Sequence, residues 1–294
     1  MELNRIQFDI LSTIAENNSF SIDGFSNKTT YSIQDIKKEI DTLNEEEYIS
    51  DFKVTSKGLL ALEPYKVKRA IFLAAGVGER LQPITINTPK PLVRVFGIRI
   101  IDRLIDAVLS TGIEEIIIVR GYLAEQFNAL KNKYPTIKFI DNPFYSVSNN
   151  IASVLQVREL LENAYVFESD LLLYNPAIIR KYHYSSNFLG IMKESSNDWC
   201  FSLKDGYICE EKIGGNNCYQ MVGISYWNKE DGKKLYNDIK EAYEMQDGKQ
   251  LYWEQVPLTK FKNNYKVYVI ECKENDIIEI DTFSELKEID NSYI

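Results

Sequence analysis

Histidine is almost missing from this chain. Among its 294 residues there is one, His183, in the polar run Lys181-Tyr182-His183-Tyr184-Ser185. That setting predicts a solvent-facing side chain rather than a catalytic one. Cysteine is also scarce. Cys200, Cys209, Cys218 and Cys272 show no C-x-x-C spacing, so nothing implies a metal cluster or a disulfide framework, and small core residues are expected. No apolar stretch is long enough to span a bilayer, and Met1-Glu2-Leu3-Asn4-Arg5 has no signal-peptide pattern. A cytoplasmic protein without membrane insertion is expected. A basic excess is missing too. The formal net charge of −9 argues against a general nucleic-acid binder. There is no internal repeat and no low-complexity segment. A hydrophobic content of 45% is ordinary for a globular protein and suffices for one large or two smaller domains.

What the chain does carry is concentrated in residues 73–92. The apolar run Ala70-Ile71-Phe72-Leu73 reads as a buried strand. It leads into Ala74-Ala75-Gly76-Val77-Gly78-Glu79-Arg80-Leu81-Gln82-Pro83 and then Thr88-Pro89-Lys90-Pro91-Leu92. Strand, small residues, two glycines and then fixed Arg and Lys describe a loop wrapped around a nucleoside triphosphate. Gly76 and Gly78 permit unusual backbone angles and bring N–H groups close to phosphates. Arg80 and Lys90 supply cations that a polyphosphate needs. Two neighbouring motifs fit less well. A dinucleotide fingerprint requires a third glycine where Leu81 stands, and a P-loop requires Gly-Lys-Ser/Thr, which is absent.

The first 65 residues read differently from the rest. Ile6, Ile10, Leu11 and Ile14 form one helical stripe, and Ser32 is placed to cap a second helix with Ile33, Ile36, Ile40 and Leu43 inward. Tyr48 to Val54 reads as a short hairpin, and Thr55-Ser56-Lys57-Gly58 starts another helical turn. Helices followed by a small hairpin resemble a winged helix-turn-helix, a fold that often binds DNA. However, residues 1–65 hold six basic and twelve acidic side chains, and the candidate recognition helix ends in Glu45-Glu46-Glu47. DNA binding depends on neutralising phosphates, so a packing, regulatory or homodimer-forming module is the better expectation. The junction is placed at Leu62–Lys66, giving a module over 1–65 and a second domain over 66–294.

From Val67 onward, strands and helices alternate. Strands are expected at Ala70–Leu73, Glu115–Arg120, Ile137–Ile140 and Tyr165–Phe167, and helices at Ile101–Leu109, Leu123–Lys131 and Ile151–Leu161. This alternation implies an α/β fold with a mainly parallel sheet covered on both faces. Its ligand should lie at the carboxyl ends of the strands, where the glycine loop and Asp170 both fall. After Tyr184 the pattern becomes hairpin-like before a helix around Lys233–Tyr243. Two acids follow apolar strands, Asp170 in Val166-Phe167-Glu168-Ser169-Asp170 and Asp281 in Ile277-Ile278-Glu279-Ile280-Asp281. A hard cation such as Mg²⁺ takes one or two carboxylates plus substrate oxygens. Asp170 and Asp281 are therefore the candidate metal ligands, with Glu168 and Glu279 as weaker candidates.

The string over 73–92 resembles the signature of the sugar-phosphate nucleotidyltransferase superfamily. Residues 67–294 resemble the bacterial CTP:phosphocholine cytidylyltransferases in collinear order. The further matches are Gly121-Tyr122-Leu123-Ala124-Glu125-Gln126-Phe127, Asn149-Asn150-Ile151-Ala152-Ser153, Asn197-Asp198-Trp199, Leu251-Tyr252-Trp253-Glu254 and Glu279-Ile280-Asp281-Thr282. One departure is Leu171, where the family has Asn after the acidic strand. The resemblance implies a Rossmann-like, GT-A-like nucleotidyltransferase domain using CTP, phosphocholine and Mg²⁺. It implies that Leu73, Ala75 and Gly76 bracket cytosine and ribose, and that Arg80 holds the β- and γ-phosphates. Lys90 would sit between the α-phosphate and the acceptor phosphate. Tyr122, Asn149, Asn150 and Ser153 would line the nucleoside pocket. A quaternary ammonium is recognised by aromatic faces near a carboxylate. Trp199, Tyr252 and Trp253 match the family's aromatic positions, with Asp198 or Glu254 supplying negative charge and Trp227 a further candidate. A primary amine acceptor, phosphoethanolamine or 2-aminoethylphosphonate, would want more carboxylates and fewer rings. A sugar 1-phosphate acceptor and a nucleotide-sensing transcriptional regulator are the alternatives.

Overall fold

The computed structural model describes residues 3–17 and 20–293. The chain divides into two compact units, Met1–Lys66 with Lys181–Tyr184, and Val67–Arg180 with Ser185–Ile294. No helix among the described residues is long and apolar enough to cross a membrane.

The first unit packs α1 (Arg5–Glu16), α2 (Ile22–Ser26) and α3 (Ile33–Glu45) against a two-residue-strand hairpin, β1 (Ile49–Ser50) with β2 (Lys53–Val54), and α4 (Ser56–Leu62). Asn4 and Gln7 close a reciprocal capping box at the start of α1, and the Ser32 hydroxyl accepts from the Asp35 N–H at the start of α3. The apolar stripes converge, with Ile10, Leu11, Ile36 and Leu43 fully buried, but Ile33, expected inward, is exposed in the first turn of α3. Gly58 lies under the hairpin, where a Cβ would come within 2.2 Å of the Tyr48 carbonyl oxygen. The expected division at residue 65 omitted a segment that returns much later in the chain. Tyr182 belongs to this unit's core, the Tyr184 ring stacks on Tyr65 at 5.5 Å, and the His183 N–H donates to the Tyr65 carbonyl. His183 is 3% exposed, which corrects the solvent-facing expectation. The return segment carries it inward, and polarity of sequence neighbours does not report such a docking.

The second unit starts with β3 (Arg69–Ala74), the short pair β4 (Arg94–Val95) and β5 (Ile98–Arg99), and α5 (Ile100–Ser110). It continues through β6 (Glu115–Arg120), β7 (Lys138–Asp141), α6 (Ile151–Val157), β8 (Ala164–Glu168) and β9 (Leu171–Leu173). Then come the long strands β10 (Asn187–Lys204) and β11 (Tyr207–Trp227), α7 (Lys229–Glu244), β12 (Tyr268–Cys272), β13 (Ile277–Glu279) and α8 (Phe283–Ile289). Strands β7, β6, β3 and β8 lie side by side and parallel. Strand β11 adds to β8 antiparallel, and β10 pairs with both β11 and β12. The isoleucine-rich centre of this sheet is buried on both faces by two separate apolar clusters, as a parallel sheet between helices requires. The chain leaves β3 toward β6 and β7, then crosses back to β8 on the other side. That reversal opens a crevice at the carboxyl ends of β3 and β8.

The segment Ala124–Asn132 is a 3₁₀ helix rather than an α-helix, and α6 gives way to 3₁₀ geometry at Arg158–Leu160. The hairpin character after Tyr184 is present, but its strands run 18 and 21 residues with several register shifts. Bulges of this kind break the period of two that sequence reading depends on.

Candidate active site

The glycine loop leaves β3 and turns at Gly78. This residue has φ +68°, and a Cβ there would meet Lys90 Cβ at 3.1 Å and Thr85 Cγ2 at 3.2 Å. Only glycine fits this left-handed, crowded turn. The Thr85 hydroxyl donates to the Gly78 carbonyl at 2.7 Å and fixes the loop from below. Lys90 follows Pro89 and is 8% exposed. Across the crevice, the Ser169 hydroxyl donates to the Leu73 carbonyl at 2.6 Å, tying the acidic turn to the end of β3. Strand β13 pairs antiparallel with β9, with Glu279 opposite Leu171. That pairing carries Asp281 to Asp170 across more than a hundred residues of sequence. Leu171, the departure from the family pattern, is buried in the apolar core. At α8, Thr282 caps the helix and the Glu285 carboxylate accepts from the Asp281 and Thr282 N–H groups.

These elements surround a cavity of about 930 Å³. Its lining includes Leu73, Ala75, Gly76, Gly78, Arg80, Lys90, Asn149, Asn150, Ser153, Asp170, Asp198, Trp199, Tyr252, Glu254 and Asp281. The Lys90 ammonium donates to Asp170 Oδ2 at 2.8 Å and to Asp281 Oδ1 at 3.2 Å. Arg80 grips both oxygens of Asp281, at 3.0 and 2.7 Å. Burial alone would push the Lys90 ammonium down, but the charge and hydrogen bond of Asp170, then Asp281 and Glu279, outweigh it and raise it. Burial works against the Asp281 carboxylate as well, and Lys90 nevertheless holds it below the usual range. Glu279 is pushed up to about 9 by desolvation and then by its neighbours Asp170 and Asp281. One oxygen of Asp170, Oδ1, is buried without a hydrogen-bond partner. The carboxylate oxygens of Glu168, Asp170 and Glu279 lie within 4.8 Å of one another. The two weaker candidates thus group with Asp170, while Lys90 bridges Asp170 and Asp281 and Arg80 holds Asp281.

A second group of acids lines the same cavity. Asn150 Nδ2 donates to Glu168 Oε1 and Glu254 Oε1, each at 3.5 Å, and Asn150 Oδ1 accepts from the Trp253 N–H at 2.7 Å. Glu254 is 1% exposed, and its Oε2 has no partner. Desolvation, then the charges of Glu254 and Asp170, push Glu168 well up; desolvation also raises Glu254. Glu211, which sequence reading missed, is pushed up to about 7 by burial and then by Glu254. It stands in the polar run Glu210-Glu211-Lys212, where nothing local separates a cavity acid from a solvated one. Trp199 and Tyr252 meet edge to face with centroids 5.7 Å apart. Asp198 turns its carboxylate to the Trp199 N–H at 2.7 Å and to Gln220 at 3.2 Å, which seats Trp199.

Three expected site residues lie elsewhere. Trp227 is fully buried, its indole N–H donates to the Ser225 hydroxyl, and its ring packs on Phe188, Trp253 and Tyr265. Trp253 is 2% exposed in the same aromatic cluster. Tyr122 holds the loop instead of lining the cavity. Its hydroxyl donates to the Thr85 and Ile86 carbonyls, both at 3.0 Å, and its N–H donates to Ala75. Asn149 lines the cavity, but its amide donates to the Gln250 carbonyl and ties down the segment that carries Tyr252. Trp227→Ala and Trp253→Ala should each lower unfolding free energy by about 3–5 kcal/mol. Urea unfolding measures this, and a loss under about 1 kcal/mol would remove that ring from the core.

The nucleotidyl transferase family model matches residues 69–195. A 2-aminoethylphosphonate cytidylyltransferase of Lancefieldella rimae is 34% identical over 76% of this chain and 93% of its own. A choline-phosphate cytidylyltransferase of Streptococcus pneumoniae is 34% identical over 76% of this chain and 96% of its own. The solved CTP:phosphocholine cytidylyltransferase from Streptococcus pneumoniae superposes with a TM-score of 0.71 at 33% identity, covering 76% of this chain and 98% of that one. The chain therefore belongs to the nucleotidyl transferase family, in the group that includes the bacterial choline-phosphate cytidylyltransferases.

Proposed function

We propose that this enzyme converts CTP and phosphocholine to CDP-choline and pyrophosphate. The observation that carries the reading is one cavity lined both by the Lys90–Asp170–Asp281–Arg80 cluster and by the Trp199–Tyr252 ring pair beside buried Glu254. An oxygen of the acceptor phosphate attacks the α-phosphorus of CTP, the bond to the β-phosphate oxygen breaks, and pyrophosphate leaves. No protein nucleophile is needed, because the acceptor is already an anion. Lys90 meets the charge that grows on the transferring phosphoryl group, and Arg80 meets the β- and γ-phosphates. Gly76 and Gly78 bring the loop backbone close to the nucleotide.

Magnesium is the cofactor we assign. The partnerless Asp170 Oδ1 and the carboxylates gathered around it suit a hard cation with oxygen ligands. Asp170 and Asp281 would hold it, with Glu168 and Glu279 close at hand. When bound, such a cation neutralises phosphate charge and orients the reacting oxygens.

A second reading is 2-aminoethylphosphonate as acceptor. It is favoured by the carboxylates beside the rings, and by the withdrawal of Trp227 and Trp253 into the core, which leaves only Trp199 and Tyr252 of the candidate cage rings lining the cavity. A pyrophosphate-release screen separates these readings. It would cross CTP and the other nucleoside triphosphates with phosphocholine, phosphoethanolamine, 2-aminoethylphosphonate and glucose 1-phosphate. CTP with a cationic acceptor should exceed glucose 1-phosphate by about a hundredfold or more in kcat/KM, and Trp199→Ala should raise KM for phosphocholine about ten- to thirtyfold. Preference for the sugar phosphate would reject the cationic acceptor, and preference for 2-aminoethylphosphonate would replace phosphocholine with the second reading.

A further inference from the structure

Glu211 lies on β11, opposite Phe201 of β10, and lines the cavity with Trp199, Tyr252 and Glu254. The Thr259 hydroxyl donates to its Oε2 at 3.3 Å. Among the described residues, the cationic side chains lining this cavity are Arg80, engaged by Asp281, and Lys90, engaged by Asp170 and Asp281. The carboxylates of Glu211 and Glu254 are left without a protein cation. Glu254 is 1% exposed and keeps a partnerless oxygen. A buried acid of this kind is stabilised by a cation arriving with the ligand.

The two kinds of wall reward different cations. A ring face attracts the methyl surface of a quaternary ammonium, which has no hydrogen to donate. A carboxylate gains most from an N–H that reaches it directly, because methyl groups hold the positive centre farther away. Trp199 and Tyr252 stand 63° apart in plane and so offer a ring surface on two sides, with carboxylates also lining the cavity. We propose that Glu211 is a specificity-determining residue for the acceptor: it reads N–H donors on the acceptor nitrogen, and its balance against Trp199 and Tyr252 sets the preference between unmethylated and methylated aminoalkyl phosphates. This rests on the cytidylyltransferase reading with a cationic acceptor.

The test compares phosphoethanolamine with phosphocholine, which differ only in methylation, in the full chain with CTP. In Glu211→Gln, kcat/KM for phosphoethanolamine should fall about thirtyfold and that for phosphocholine about threefold, a tenfold shift in their ratio. Thr259→Val, which removes the hydroxyl holding Glu211, should shift the ratio in the same direction by about threefold; it carries the test if Glu211→Gln does not fold. Equal losses for both acceptors, or an unchanged ratio, overturn the role of Glu211; where the wild type uses only 2-aminoethylphosphonate, a loss on it of less than about threefold in Glu211→Gln overturns the role as well. A wild type that turns over neither acceptor, yet uses a sugar 1-phosphate, instead overturns the cationic-acceptor reading on which the role depends.

Discussion

Asp170→Asn should lower kcat by about a hundredfold or more while the protein stays folded, because metal positioning contributes several kcal/mol to a transition state of this kind. The substitution keeps the shape of the side chain and removes its charge. Oδ2 of Asp170 accepts from Lys90 at 2.8 Å, and Oδ1 is buried without a partner. The variant therefore loses the carboxylate proposed to hold the metal and a counter-charge for Lys90 together. Asp281→Asn should have a comparable effect, since Asp281 carries the Arg80 and Lys90 contacts at the far side of the same cluster. Manganese binding followed by electron paramagnetic resonance supplies a readout independent of turnover: both variants should weaken it. Near-wild-type turnover and manganese affinity in either variant would remove that aspartate from the site.

Lys90→Met should depress kcat by about a hundred- to a thousandfold and change the KM for CTP far less, since removing one donor aimed at developing charge has that size of effect. The reason is placement. The Lys90 side chain is 11% exposed and clamped between two aspartates, so its charge acts in a poorly screened cleft. The Arg80 side chain is 68% exposed and is screened by water. Arg80→Met should therefore mainly raise the KM for CTP. Steady-state kinetics with CTP varied at saturating acceptor distinguishes the two. If Lys90→Met raised KM alone and Arg80→Met lowered kcat alone, the phosphate contacts assigned to them would have to be exchanged.

The parts of the site that were legible in advance depend on local chemistry. A buried strand followed by two glycines and fixed Arg and Lys leaves few backbone arrangements; Gly78 at φ +68° against Lys90 and Thr85 takes the left-handed turn expected of it, whereas Gly76 has no positive φ and a Cβ there would meet nothing within 4 Å. Asp170 and Asp281 could be singled out because each follows an apolar strand; Asp170 comes after β8, at the carboxyl edge of the parallel sheet, whereas β13, which precedes Asp281, lies outside that sheet in an antiparallel pair with β9. The aromatic wall of the cavity was harder. Trp199, Trp227 and Trp253 are chemically alike, and each lies beside polar or aromatic neighbours in sequence. Trp199 lines the cavity because β10 carries a register shift between Ser196 and Trp199 and because Asp198 seats it. Trp227 and Trp253 turn into the core, where each packs on the other.

Residue types and spacing by themselves determined the glycine loop, the parallel α/β sheet and the two strand-end aspartates, because each follows from backbone freedom, strand burial and charge within a short stretch. The packing of distant segments decided the rest. Antiparallel pairing of β9 with β13 brings Asp281 to Asp170, and the fold of β11 turns Glu211 into the cavity beside Glu254. Docking of Lys181–Tyr184 into the first unit buries His183. Which face of a strand is wet, and which remote segment covers a side chain, are properties of contacts between residues far apart in sequence, and no local pattern encodes them.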